Sequence, residues 1–361
     1  MSKKFKNLII LVAIMISGII LTFPTLGAEN KTISLKGLES RILKYNLEIQ
    51  RATENEKIAR YKEEQATDNE YNDSSDPIES EKNSEYYELE AEMNLYYSIC
   101  TKEKIEKEKV LDGTEKFFTY QFLSKEIELQ NQKIERLKDD LAKVNVKIDM
   151  GNSTLNDQTK LELSIQKEVC NLQKLKNNRE RVLFDLNVLM NYDLETTLVF
   201  ETPDVPFEKY TTDSLTKQIE YVIENNEDLE KIEYENRLAD IELKIYEDNN
   251  SGQYDNKITK IKEDKSNLTY DFKDKKLSLE YEVRSKYNDL LTSYDNLIIK
   301  ELEIANLEIT LKTVEKRYDL GLESESNMIL AKEDFEFAKL ELEKAKLAYY
   351  LTVESYKSFI Q

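Results

Sequence analysis

The sequence predicts an all-α protein, two tandem repeats of a long antiparallel coiled-coil hairpin with little or no β structure. Three observations carry this. The chain repeats itself, its apolar residues recur at helical seam spacing, and glycine and proline are scarce.

The repeat is direct. Ser34-Leu35 opens a stretch that realigns without a gap at Ser214-Leu215, so that Ile42, Asn46, Ile49 and Ala59 fall on Val222, Asn226, Leu229 and Ala239. Asp149-Met150-Gly151 realigns with Asp319-Leu320-Gly321, and the change of offset leaves roughly ten extra residues inside the first copy. A unit this long exceeds a solenoid repeat and implies a duplicated sub-domain whose halves pack side by side. Seven glycines and four prolines in 361 residues cannot supply a turn-rich fold, whereas long helices need almost none.

Taken in order, residues 1–28 read as a secretory leader. Lys3, Lys4 and Lys6 precede an apolar run from Leu8 to Phe23, and Gly27-Ala28 supplies the small residues of a cleavage site. The first repeat occupies 32–200, a linker holding Pro203 and Pro206 occupies 201–210, and the second repeat occupies 211–361. Each repeat opens with a helical block that Asn46 or Asn226 divides in two, because Asn tolerates left-handed backbone. Polar loops are expected at about 65–83 and 248–267, with Lys257-Ile258-Thr259 and Asn267-Leu268-Thr269-Tyr270 as candidate short strands.

The long hairpins follow. Tyr120, Leu123, Ile127, Ile134, Leu137, Leu141, Val144 and Ile148 keep a 3–4 spacing that only Gln130 interrupts. The pattern restarts after Gly151 from Leu161 to Leu189, and returns around Gly321 from Leu290 to Phe359. Seams of this length belong to coiled-coil helices. A glycine C-cap followed by a Ser or Thr N-cap makes a tight helix-turn-helix, which places the hairpin tips at Gly151 and Gly321. The helix entering the first tip should begin near Ser84 and run about 100 Å.

Composition excludes several functions. A net charge of −20 opposes nucleic-acid binding, which needs clustered Lys and Arg. The chain has no histidine, no Gly-rich phosphate loop and no cysteine cluster with metal spacing. Nothing points to an enzyme, a cofactor or a metal. Paired carboxylates such as Asp139-Asp140 read as solvated coiled-coil positions. Cys100 and Cys170 lie at levels roughly 48 Å apart on the folded hairpin, too far for a disulfide, and read as free core or seam residues. The pairs Tyr86-Tyr87, Tyr96-Tyr97 and Tyr349-Tyr350 read as packing between helices rather than as lining of a path.

This layout resembles the TolC-like outer-membrane efflux family. The resemblance rests on Ser34-Leu35…Ile42-Leu43…Asn46 and its copy Ser214-Leu215…Val222-Ile223…Asn226. It rests also on the tips, Tyr318-Asp319-Leu320-Gly321-Leu322-Glu323-Ser324 with Asn327, and more loosely Lys147 to Gly151 with Thr154 and Asp157. It implies a homotrimer whose helices close into a tube, exported to the cell envelope and reaching the outer membrane. It also implies docking onto a periplasmic adaptor of the membrane-fusion type, fed by an ABC or proton-driven transporter, for efflux or secretion. The docking tips would be Met150, Gly151, Asn152 and Ser153 together with Leu320, Gly321, Leu322 and Glu323. The chain departs from the family where its membrane barrel should be. A spanning strand needs about 9–11 alternating residues, and the two polar loops do not supply four of them. The alternative is an exported coiled-coil spacer or scaffold of the envelope without a pore.

Overall fold

The computed structural model describes residues 32–69, 75–212 and 214–360; the leader expected at 1–28 lies outside them. The fold is the expected all-α hairpin pair with a trace of β structure. In the first repeat come β1 (Thr32–Ile33), α1 (Leu35–Tyr45), α2 (Leu47–Asn69), α3 (Pro77–Glu81), α4 (Tyr87–Asp149), α5 (Leu155–Leu189) and β2 (Val199–Phe200). In the second come α6 (Leu215–Glu224), α7 (Glu227–Asp248), α8 (Asp255–Asp319) and α9 (Glu325–Ile360). The two short strands pair in parallel. At 63 and 65 residues, α4 and α8 each run about 95 Å.

Helices this long are held by antiparallel seams. Helix α5 packs along the lower half of α4, and α2 along its upper half. Lys133 meets Glu168 at 2.8 Å, while Lys109 meets Glu48 at 2.7 Å and Lys102 meets Glu56 at 3.0 Å. The second repeat copies this, with α9 below and α7 above along α8. Each protomer is therefore four rods in the order α5–α2, α4, α9–α7, α8, because α4 also packs against α9 and α7. Ties across the two repeats are Arg136–Glu333 at 2.8 Å, Lys82–Glu242 at 3.2 Å, Lys344–Glu126 and Lys104–Glu227.

The core sits at mid-height, where α1 lies on α4 and α6 lies on α8 and α9. Leu38, Ile42, Phe117, Phe118, Leu186 and Met190 pack together in the first repeat, and Val222, Leu279, Val283, Leu290, Tyr349 and Tyr356 in the second. Gly113 admits the first contact, since a Cβ there would stand 2.3 Å from Ile42 Cδ1. The aligned position on α8 is Val283, and its partner is the smaller Val222. Tyr349 and Tyr96 pack against Tyr294 and Tyr234, as packing between helices requires.

Four expectations need correction. The fragments 257–259 and 267–270 are helical, because Ile258 and Ile261 are both buried at helical spacing. The expected polar loops are largely helical, since α2 extends to Asn69, α3 occupies Pro77–Glu81 and α8 begins at Asp255. A π-turn over Lys82–Tyr86 joins α3 to α4, so the long helix starts at Tyr87 rather than near Ser84. Cys170 is exposed on α5, not in a seam, although both cysteines are free.

The breaks at Asn46 and Asn226 fall where expected, but by another mechanism. Both residues are extended, with φ of −62° and −81°. Asn46 Oδ1 accepts from the backbone N–H groups of Glu48 and Ile49, and Asn226 Oδ1 from those of Asp228 and Leu229. Each asparagine is thus the N-cap of the longer helix. Buried Asn46 also donates from Nδ2 to the Leu189 carbonyl at 3.0 Å, joining α2 end to end with α5. Asn46→Asp keeps the cap but loses that donor, so it should cost about 1–3 kcal/mol, whereas Asn226→Asp should change stability by less than about 0.5 kcal/mol. Urea unfolding of the two variants checks this.

Candidate functional site

The rods turn at two tips of matched construction. At the first, the Gly151 N–H donates to the Ile148 carbonyl at 2.8 Å and the Asn152 N–H to that of Lys147 at 2.7 Å. At the second, the Gly321 N–H donates to the Tyr318 carbonyl at 2.9 Å and the Leu322 N–H to that of Arg317 at 2.8 Å. This is the Schellman closure, which needs left-handed backbone. Gly151 and Gly321 supply it, with φ of +75° and +71°.

The return helices are capped at once. Thr154 Oγ1 accepts from the Asp157 N–H, and the Asp157 carboxylate accepts from the Thr154 N–H at 3.1 Å, a complete capping box. The Thr154 hydroxyl, which donates to the Asp157 carboxylate at 2.7 Å, and the Thr154 N–H hold that carboxyl below its usual range. Ser324 Oγ accepts from the Asn327 N–H at 3.2 Å. Glu323 accepts from Asn327 Nδ2 at 2.7 Å and pairs with Arg317 at 3.3 Å, contacts that lower its carboxyl as well.

The expected site residues thus divide by role. Ser153 and Glu323 are half-buried and fasten the turns. Met150, Leu320 and Leu322 project, 61%, 73% and 63% exposed. Val146 and Leu155 extend this apolar surface at the first tip. The two tips belong to hairpins tied near their ends by Arg136, which also contacts Asp140 at 3.3 Å. Both Arg136 and Glu333 are nearly buried. No pattern within either helix announces that pair, because the partners are almost two hundred residues apart.

A second set of surfaces escaped the sequence reading. Tyr270, Leu277, Tyr281, Leu302 and Ile309 are all exposed along α8, on the face turned away from buried Val283, Leu290 and Leu297. Leu47, Ile58 and Tyr61 on α2 and Leu163 on α5 likewise face away from their seams. These are the two outer rods of the protomer. Measured from the tips at ~1.5 Å per residue, Ile58 and Tyr270 both stand at ~75 Å, and Leu163 and Ile309 both at ~17 Å. A second apolar stripe, offset from the first on the same helix, is the signal that would have revealed them.

Duplicated hairpins, four rods abreast and glycine-capped tips define the fold class: a pair of long antiparallel helical hairpins. The fold is that of the TolC-like outer-membrane channels. The CmeC outer membrane channel of Campylobacter jejuni superposes with a TM-score of 0.70 at 10% identity, over 90% of this chain and 85% of CmeC. The outer membrane protein VceC of Vibrio cholerae superposes at 0.63 and 10% identity, over 90% and 95% of the two chains. The open state of the MtrE channel of Neisseria gonorrhoeae superposes at 0.59 and 12% identity, over 90% and 88%. No family model and no curated protein matches the sequence.

One titration in the lower hairpin is measurable. The Lys133 ammonium, with Gln130 and Asn171, holds Glu168 down to about 2. A depressed carboxyl contributes stability above its unfolded value, near 4.3, and loses it as pH falls through the folded value. Stability should therefore decline between about pH 4.5 and 2, and Lys133→Met should flatten that decline in thermal melts across the same window.

Proposed function

We propose that this chain is the channel component of a multipartite efflux or secretion system, three copies closing into a helical tube. One observation carries the reading: the protomer has two different outer edges whose exposed apolar stripes match in height. An edge that complements a different edge gives a head-to-tail contact, and such contacts form a ring where the rotation between neighbours closes. Pairing α8 of one copy with α2 and α5 of the next would cover both stripes along the rods. Three copies of four rods give a wall of twelve, in keeping with the homotrimer that the resemblance implies.

Transport through such a tube is passive. The chain offers no nucleotide site, so energy must come from a transporter of the ABC or proton-driven kind. The apolar tips around Met150, Leu320 and Leu322 suit an adaptor of the membrane-fusion type. Glycine-closed, capped turns presenting exposed aliphatic side chains offer an adaptor a compact apolar contact surface. The tips are the part of the tube that an adaptor below it would meet first.

Mass measurement and end-on electron microscopy test the tube. The expected result is three-copy particles with a central hole, and Leu302→Lys with Ile309→Lys should release monomers of unchanged helix content. Solid rods would establish the pore-free spacer instead. For the tips, Leu322→Asp should weaken capture of a membrane-fusion-type adaptor from the same genome at least about tenfold, the effect of ~1.4 kcal/mol. Undiminished capture by that variant overturns docking at this surface.

A further inference from the structure

The end of the rods opposite the tips is built differently from a membrane pore. Helices α2 and α3 are joined across seven residues, 70–76, and α7 and α8 across six, 249–254. Neither connection can hold even one spanning strand of about 9–11 residues. In their place stands a helical collar fastened across the repeats. Glu242 sits between Lys82 at 3.2 Å and Lys257 at 2.9 Å. The ring of Tyr246 lies 5.5 Å from both ammonium groups. Asn249 Nδ2 donates to Glu81 at 3.1 Å, so the second turn is tied to the first.

Among the described residues nearly all exposed positions of this collar are polar or charged. The exposed apolar stripes of the outer rods stop at Tyr61 and Tyr270, and among the described residues of 62–90 and 240–269 no large hydrophobic side chain is exposed. Among the described residues the last ~22 Å of the rods thus presents no exposed large apolar side chain, although a lipid-embedded wall needs an apolar band about 25 Å tall. Carboxylates outnumber cations eleven to two between residues 62 and 90, which adds repulsion from anionic lipid.

We infer that the collar is a finished, water-facing mouth, so that the conduit opens into an aqueous layer of the envelope and does not itself cross a second membrane. This deepens the channel reading and rests on it for the word conduit. It also puts the burden of positioning on the tips, since the collar grips no bilayer.

The test places a polarity-sensitive dye on Ser84→Cys and, separately, on Thr259→Cys, both in a Cys100→Ser, Cys170→Ser chain exported from a bacterial host. Vesicles of phosphatidylethanolamine and phosphatidylglycerol are then added. Unchanged emission and full quenching by acrylamide are expected at both positions. A blue shift with loss of quenching overturns the inference. Flotation of the unaltered chain with the same vesicles, followed by protease mapping, is the companion measurement. The same cleavage pattern with and without vesicles supports the collar, and a fragment from 62–90 or 240–269 that is protected only when vesicles are present refutes it. End-on images of the same samples separate the two readings. Rings with a lipid-buried dye leave the tube standing and remove the water-facing mouth. A water-exposed dye without rings does the reverse.

Discussion

Everything in this protein depends on the antiparallel seam. A helix of more than sixty residues, about two-fifths of them charged, gains little from propensity alone and is held by burial of one narrow stripe. That burial is uneven. The side chains most fully withdrawn from water gather at mid-height, at Phe117, Phe118, Leu186, Met190, Val283, Leu297, Tyr349 and Tyr356. Below Leu137 and Leu340 no side chain on the four descending helices is buried. The middle is accordingly the folding and stability centre, and the rods loosen toward the turns, where local opening costs least.

Charge works within this frame as a register device. About half of the ion pairs lie along single helices at three- or four-residue spacing, most with at least one well-exposed partner, a class that contributes little. The pairs between rods differ. Arg136 and Glu333 are nearly dehydrated, so breaking either partner strands a charge, while the pair itself adds little over an apolar contact. Such ties penalise a sliding of one hairpin past the other, which a smooth apolar stripe would tolerate.

How much of this was legible in the sequence follows from range. The seams, the two tips and the asparagine breaks are local patterns and were read at the right residues. The breaks were given the wrong cause, since a capping side chain and a left-handed residue occupy the same place in a pattern. The supposed strands around Ile258 and Thr269 failed because β-branched residues drew attention to period two, while Ile258 and Ile261 already kept the helical period. The edge stripes escaped because one seam per helix was sought. Arg136–Glu333 and Lys82–Glu242 join distant segments, and nothing in a single strand of text pairs them.

Gly113 against Ile42, and Val283 against Val222, show what became of the duplication. Two copies that began alike now fill the same joint with opposite divisions of bulk, large against nothing in one and medium against medium in the other. Changing one partner alone would have left either a collision or a hollow, so the two halves drifted apart in compensated pairs. They are interchangeable only joint by joint: a helix moved singly from one half to the other would carry the collision or the hollow with it.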